Sequence, residues 1–325
     1  MAGDSKIMEA VIRIGGEMDK SVTTAMSKTS VQLQKLNKKC AAFEKALVGL
    51  GVTAAGALGT TMVKVGAEYS KAMSSLASQT GASGDALKQF GDIAREVWKS
   101  GKGEDMQEVA NAMANIHQAS KLAGDELKKA TDAAMTLKDA FGIEVEESTR
   151  AATAMMKNFG ISAEEAYGLI AHGAQNGANR NGDLVDVLNE YSVQFKSLGL
   201  NADQFMQSLI TGAEKGVWQI DKVGDAMKEF NIRAKDGSKK SMEAFEGLKL
   251  NGKQMTEAFA KGGESAEKAF FQTVNALKNV DNEVQRNAIG VALFGTMYED
   301  GPSPRMWGKP IVRFQVVFVL RTIPT

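Results

Sequence analysis

Residues 1–301 contain no proline; the four in the chain, Pro302, Pro304, Pro310 and Pro324, all lie beyond them. Ordinary usage near 5% would scatter roughly sixteen through a chain of this length. Proline removes a backbone donor and breaks helix interiors, so a long proline-free stretch rich in Ala, Met, Leu, Lys and Glu predicts serial helices. The 33 glycines then supply the stops.

Charge removes one class of function. With 39 Lys plus Arg against 39 Asp plus Glu, the chain has no net charge and no electrostatic footprint for nucleic acid or an anionic membrane. A single cysteine, Cys40, excludes an internal disulfide framework and a multi-thiolate metal site. The start carries no signal peptide, which fits synthesis in a reducing cytosol.

Three regions differ in pattern, and we delimit them as 1–65, 66–300 and 301–325. In the first, Ala10 to Ile14 form a short alternating run that suits a strand or a helix stub. Then Val22, Met26, Thr29, Leu33, Leu36, Cys40, Phe43, Leu47 and Leu50 follow one another at alternating spacings of four and three. That is a heptad seam with a Lys-rich outer face, and it predicts a coiled-coil-like helix facing a partner or a second copy of itself. Few opposite charges flank it, so neither strand number nor partner is specified, and packing against its own domain is the alternative. Cys40 lies on the seam as a small core residue.

Residues 46–63, ALVGLGVTAAGALGTTMV, carry no charge and reach about the minimum length of a bilayer span. Gly, Ala and Thr dominate them, which disfavours transfer into lipid and favours close helix packing. Two readings stand: a helix packed against protein, or a segment that inserts into membrane on release.

The central region predicts short amphipathic helices. Stripes fall at Leu87, Phe90, Ala94 and Val97; at Met106, Val109, Ala110, Met113 and Ile116; and at Leu127, Ala130, Ala134, Leu137 and Phe141. Later come Leu184, Leu188, Tyr191, Phe195 and Leu198, then Phe205, Leu209 and Ala213, then Phe270, Val274 and Leu277. The joints share a form: TGASGD at 80–85, FGIEVEE at 141–147, FGISAEE at 159–165 and LGLNADQ at 198–204. Each sets Gly after a helix as a left-handed cap and then opens the next, with Ser162/Glu165 and Asn201/Gln204 at capping-box spacing. Intervals of 18 and 39 residues between the last three of these glycines look too irregular for a solenoid of fixed period.

Chemistry is not visible. His117 and His172 lack partners at metal-ligand spacing. The stretch HGAQNGANRNGD at 172–183 has neither a preceding strand nor a Gly-Lys-Ser/Thr ending, so it reads as an interhelical loop rather than a phosphate cradle. Glu146 with Glu147 and Glu164 with Glu165 stand where a first helical turn favours negative charge. No catalytic, cofactor-binding or metal residue is expected, and no enzyme activity.

After Asp300 the text changes to GPSPRMWGKPIVRFQVVFVLRTIPT, β-branched and aromatic. It reads as an isolated strand bounded by prolines, or as non-native sequence from a shifted or fused reading frame. The fold expected overall is all-α: an N-terminal coiled-coil-like helix followed by a bundle of short amphipathic helical hairpins.

The order of these segments resembles the phage tail tape measure proteins, also called phage-related minor tail proteins. The resemblance runs from EYSKAMSSLASQTGAS through LKQFGDIAREVWKSG, FGISAEEAYGLIAHGAQNG and SLGLNADQFMQSLITGAEKGVWQIDKVGDAMKEFNIRAKDGS to VQRNAIGVALFGTMYED, covering about 66 to 300. VIRIGGEMDKSVTTA and the heptads look like the N-terminus of that family. After LFGTMYED the family continues into further helical sequence, and this chain departs from it. The resemblance implies a structural component of a phage or prophage tail that sets tail length during assembly and aids DNA delivery. It implies a place in the virion tail, and in host cytoplasm during assembly. The partners implied are the tail tube protein, tail assembly chaperones and baseplate or tail-tip proteins, with homo-oligomers and transient membrane contact, and no specific nucleic acid. A membrane-active helical protein using residues 46–63 is the alternative.

Overall fold

The computed structural model describes residues 58–298 apart from Trp218, and of 58–67 the backbone alone. The heptad seam, residues 46–57 and the tail from 299 lie outside the described residues. Among those described there are thirteen α-helices, one short 3₁₀ turn and no strand, so the all-α expectation holds. The chain divides into two compact units: one runs to Thr153 and includes Ala163–Gly168, and the other comprises Ala154–Ser162 and everything from Leu169 onward.

The first unit contains α1 (Leu58–Thr80), α2 (Gly84–Lys99), α3 (Met106–Ser120) and α4 (Gly124–Phe141). It also takes the N-terminal parts of α5 (Val145–Phe159) and α6 (Ala163–Gln175). α1 crosses position 65/66 without a break. It lies along α3, while α2 lies along α4. The stripes meet where the spacing predicts: Ala94, Val97, Val109, Met113, Ile116, Leu127 and Ala134 are all buried. Gly91 lets α2 approach α1 closely, since a Cβ there would stand 2.6 Å from Met73 Sδ. Arg95 crosses the same contact, donating to the Tyr69 hydroxyl at 2.9 Å.

The second unit contains α7 (Leu184–Ser197), α8 (Ala202–Glu214), α9 (Asp221–Arg233), α10 (Lys239–Gly247), α11 (Gly252–Lys261), α12 (Gly263–Lys278) and α13 (Glu283–Phe294). Its core is aromatic. Phe230 of α9 packs on Phe259, Phe270 and Phe294 at ring separations of 5.2, 5.5 and 4.6 Å, and Phe195 stacks on Phe205 at 4.0 Å.

All four predicted joints fall between helices, and Gly81, Gly142, Gly160 and Gly199 have φ of 71, 68, 71 and 81°. Asn201 and Gln204 form the predicted capping box on α8, each side chain meeting the other residue's backbone N–H at 2.8 Å. Glu146, Glu147, Glu164 and Glu165 occupy first turns of α5 and α6. One reading needs correction: 172–183 is not loop throughout, because α6 continues to Gln175 and only the remainder turns. The irregular glycine intervals also resolve, since Gly142 caps α4, the second helix of a pair, whereas Gly81, Gly160 and Gly199 follow α1, α5 and α7, the first helices of theirs.

Candidate functional site

The residues proposed as a partner seam, Val22, Met26, Thr29, Leu33, Leu36, Cys40, Phe43, Leu47 and Leu50, all lie outside the described residues. Of the uncharged segment, 58–63 form the start of α1. No helix among the described residues is long and apolar enough to cross a membrane.

The histidines serve packing and local hydrogen bonding. His117 presents its Nδ1 2.7 Å from the Leu122 carbonyl oxygen and its ring edge to Phe90 at 4.9 Å, tying α3 to its own joint and to α2. His172 faces Asn176 one turn on, at 3.2 Å. Among the described residues no three His, Cys, Asp or Glu side chains gather as a metal site would require.

A chain of polar contacts lies between α7 and α9. The Tyr191 hydroxyl stands 3.0 Å from Asp221 Oδ1 and 2.8 Å from Asp225 Oδ1, donating its one hydrogen to either carboxylate. Burial pushes the Tyr191 phenol well above its usual range, and both carboxylates push it further. Asp183, at the start of α7, is also raised by burial, and neighbouring backbone N–H groups lower it without hydrogen bonds of good geometry. Gly224 makes the contact possible, because a Cβ there would stand 2.3 Å from the Tyr191 ring. Beside it runs a polar ladder: Lys228 to Glu190 at 3.4 Å, Asn231 to Gln194 at 2.7 Å and Lys235 to Ser197 at 2.6 Å. Burial holds the Lys235 ammonium below its usual pKa.

Tyr191 is a proton donor held by acceptors, with no nucleophile beside it and no base of histidine type. The arrangement latches one helix to another. Sequence reasoning places Tyr191 in an apolar stripe and does not single out its partners. Their signal is faint: two aspartates four apart on α9, flanking a glycine.

The profile of the phage-related minor tail protein family matches residues 98–295. Over 177 residues the chain is 41% identical to a protein of Streptomyces phage phiC31 named "Probable tape measure protein", covering 54% of this chain and 24% of that protein. Over 261 residues it is 33% identical to Bacillus subtilis (strain 168) "Uncharacterized protein YqbO", covering 79% of this chain and 16% of that one. It therefore spans a quarter or less of either relative. No solved structure matches it. With the profile matched from the end of α2 to the end of α13, the chain belongs to the phage-related minor tail protein family.

Proposed function

We propose that this chain is the N-terminal and core region of a tape measure protein, a structural component of a phage or prophage tail that sets tail length during assembly and aids DNA delivery. The observation that carries this reading is the 41% identity over 177 residues to a protein named as a tape measure. A ruler needs length per residue. A continuous helix of 325 residues would reach about 490 Å at 1.5 Å per residue, whereas the longest described helix, of 23 residues, reaches about 35 Å. The working state is therefore an extended one, reached by straightening the joints. In it the protein occupies the lumen of the tail tube in the virion, contacting the tube protein along its length and baseplate or tail-tip proteins at its end. Assembly chaperones hold it in the host cytoplasm beforehand. The heptad seam from Val22 to Leu50 joins parallel copies.

The test is tail length. An in-frame deletion of about 40 residues in this region of the full gene, carried by a tail-forming phage, is expected to shorten the tail by about 60 Å if the chain runs as helix. Tails of unchanged length would sink the ruler reading.

A further inference from the structure

The hairpin joints recur at a nearly constant interval. Left-handed residues stand one position past α1, α3 and α5, two past α7 and four past α9: Gly81, Lys121, Gly160, Gly199 and Gly237, with φ of 71, 62, 71, 81 and 62°. Their numbers advance by 40, 39, 39 and 38. Helix lengths and connection lengths in helical proteins vary independently and over a several-fold range, so a spacing held this closely over five joints is not expected of an ordinary bundle.

Local geometry repeats with the spacing. In the first joint Thr80 Oγ1 donates to the Leu76 carbonyl at 2.5 Å and accepts from the Ala82 N–H at 3.2 Å. In the second, Ser120 Oγ donates to Ile116 at 2.6 Å and accepts from Leu122 at 3.2 Å. Ser83 and Ala123, which precede α2 and α4, have φ, ψ of −144, 166 and −143, 168°. Each is followed by a glycine at φ 57 or 56° that opens the helix. The residues agree too: Ala72 and Met73 with Ala112 and Met113, then Gly84-Asp85 with Gly124-Asp125 and Leu87-Lys88 with Leu127-Lys128.

The next copies differ in chemistry and keep the geometry. Val109, Ala110, Ala112, Met113 and Ile116 are buried on α3, and at the same register on α5 so are Ser148, Thr149, Ala151, Ala152 and Met155. The turn after α6 has Ala178 N–H on the Gly173 carbonyl at 2.9 Å, and the turn after α8 has Val217 N–H on Gly212 at 3.0 Å. Gly173 and Gly212 both have close neighbours: a Cβ at Gly173 would stand 2.5 Å from Met206 Sδ and 3.2 Å from Leu184, and one at Gly212 2.8 Å from Val223. In both comparisons each later residue is numbered 39 above its earlier counterpart. Beyond Gly237 the register ends, since the position 39 residues further on, Ala276, lies inside α12 rather than at a joint.

We propose that residues 58–237 are a tandem array of one helix–turn–helix module, four complete copies from α1–α2 to α7–α8 and the first helix of a fifth, repeated at the interval of these joints, and that the chain opens and changes length in steps of that module. In the first two modules the paired helices, α1 with α2 and α3 with α4, pack against each other across a left-handed joint. Neighbours are joined by side-chain ladders: Ser75 and Gln79 to Asn111 at 2.9 Å between α1 and α3, and the α7–α9 ladder in a later pair. In such an array stability is a sum of module and neighbour contributions, and opening propagates along the chain rather than occurring all at once. The inference does not depend on the tail reading, because it concerns how the chain is built and how it opens.

Pulling the full chain from its two ends in a single-molecule force experiment is the test. A module drawn from hairpin to extended chain lengthens by about 130 Å, at roughly 3.4 Å per residue. Repeated increments of that size are expected; a single event that opens several modules together would overturn the proposal. A deletion gives the second arm. Removing 82–121 joins Gly81 to Leu122, so that α1 leads into α4 through a joint of the same geometry. This protein is expected to keep the helical circular dichroism per residue and a cooperative melt, at a lower temperature than the parent because one module's contribution is gone, and to show one fewer step. Removing 82–101 alone, which is out of register, is expected to destroy the cooperative melt. Loss of fold in the in-register deletion, or an unchanged number of steps, would overturn the proposal.

Discussion

A methyl group added at Gly199 would stand 2.3 Å from the Gly263 carbonyl oxygen and 2.8 Å from the Glu267 amide nitrogen, on a backbone already at φ 81°. At Gly160 the backbone is similar, φ 71°, and nothing lies within 4 Å. Gly160→Ala therefore carries only the left-handed strain, about 1 to 2 kcal/mol. Gly199→Ala adds a clash with backbone that cannot swing aside, and we expect it to cost more than about 3 kcal/mol. Urea unfolding of both variants decides the point, and equal costs would mean that the α7–α8 joint does not approach α12 as described. Charge at single residues follows the same logic in the first unit. Burial raises the Glu108 carboxyl, but hydrogen bonds from Lys138 and the Glu104 N–H, with the charge of Lys138, outweigh it and hold the pKa below its usual value. A carboxyl lowered on folding contributes stability above its unfolded pKa and loses it as pH falls through the folded one. Glu108 meets Lys138 at 2.7 Å with both side chains about a third exposed, so screening limits the contribution to about 1 kcal/mol. Glu108→Gln should thus destabilise at pH 7, and the difference from the parent should disappear only as pH falls below the ordinary carboxylate range, through the lowered folded pKa. A pH-independent difference between their melting curves would locate the effect in packing instead.

Between elements, the α7–α9 latch offers a test of what joins neighbouring helices. Tyr191→Phe keeps the ring against Gly224 and removes the hydroxyl from Asp221 and Asp225, leaving two carboxylates one turn apart without their shared donor. Hydrogen bonds to charged groups contribute about 1.5 to 3 kcal/mol, and partial exposure of the aspartates sets the lower end as the expectation. In a Tyr191→Phe, Asp225→Asn double variant the losses should fall short of additive, whereas strict additivity would show that the hydroxyl and carboxylate act independently. This latch also marks where legibility stops. Helices are readable because apolar residues at Leu184, Leu188, Tyr191, Phe195 and Leu198 repeat with the helical period, and a local period needs no partner to be seen. Joints are readable for the same reason: a glycine ending one helix and an Asn-x-x-Gln opening the next are contiguous signals. Which helix lies beside which is a long-range matter, and Tyr191 meets residues 30 and 34 positions away through a gap that only Gly224 creates. The module spacing is obscured differently. Two kinds of joint use glycine, and Lys121 takes a left-handed conformation that in sequence looks like any exposed lysine.

At the scale of the whole molecule, the ruler proposed above, if built from several copies, must hold them in one register, or their ends would mark different lengths. The heptad seam is the part of this chain whose pattern suits that task. In a parallel, in-register coiled coil each seam residue faces its own counterpart, so Cys40 of one copy would face Cys40 of the next within disulfide reach. An antiparallel pair centred on the seam would set Cys40 against an aliphatic residue nearer Leu33. Because Cys40 is the only cysteine, the readout is clean. Mild oxidation of the purified chain at micromolar concentration should give a disulfide-linked dimer in most molecules, absent from Cys40→Ser. Sedimentation of the reduced protein should show association that Leu36→Glu abolishes, since a charge at the centre of a seam is not tolerated there. Association without the disulfide would indicate antiparallel or staggered copies, which could not share one end point. A monomer at all concentrations would assign the seam to packing within the chain, and the length standard would then rest on a single copy whose modules straighten one after another.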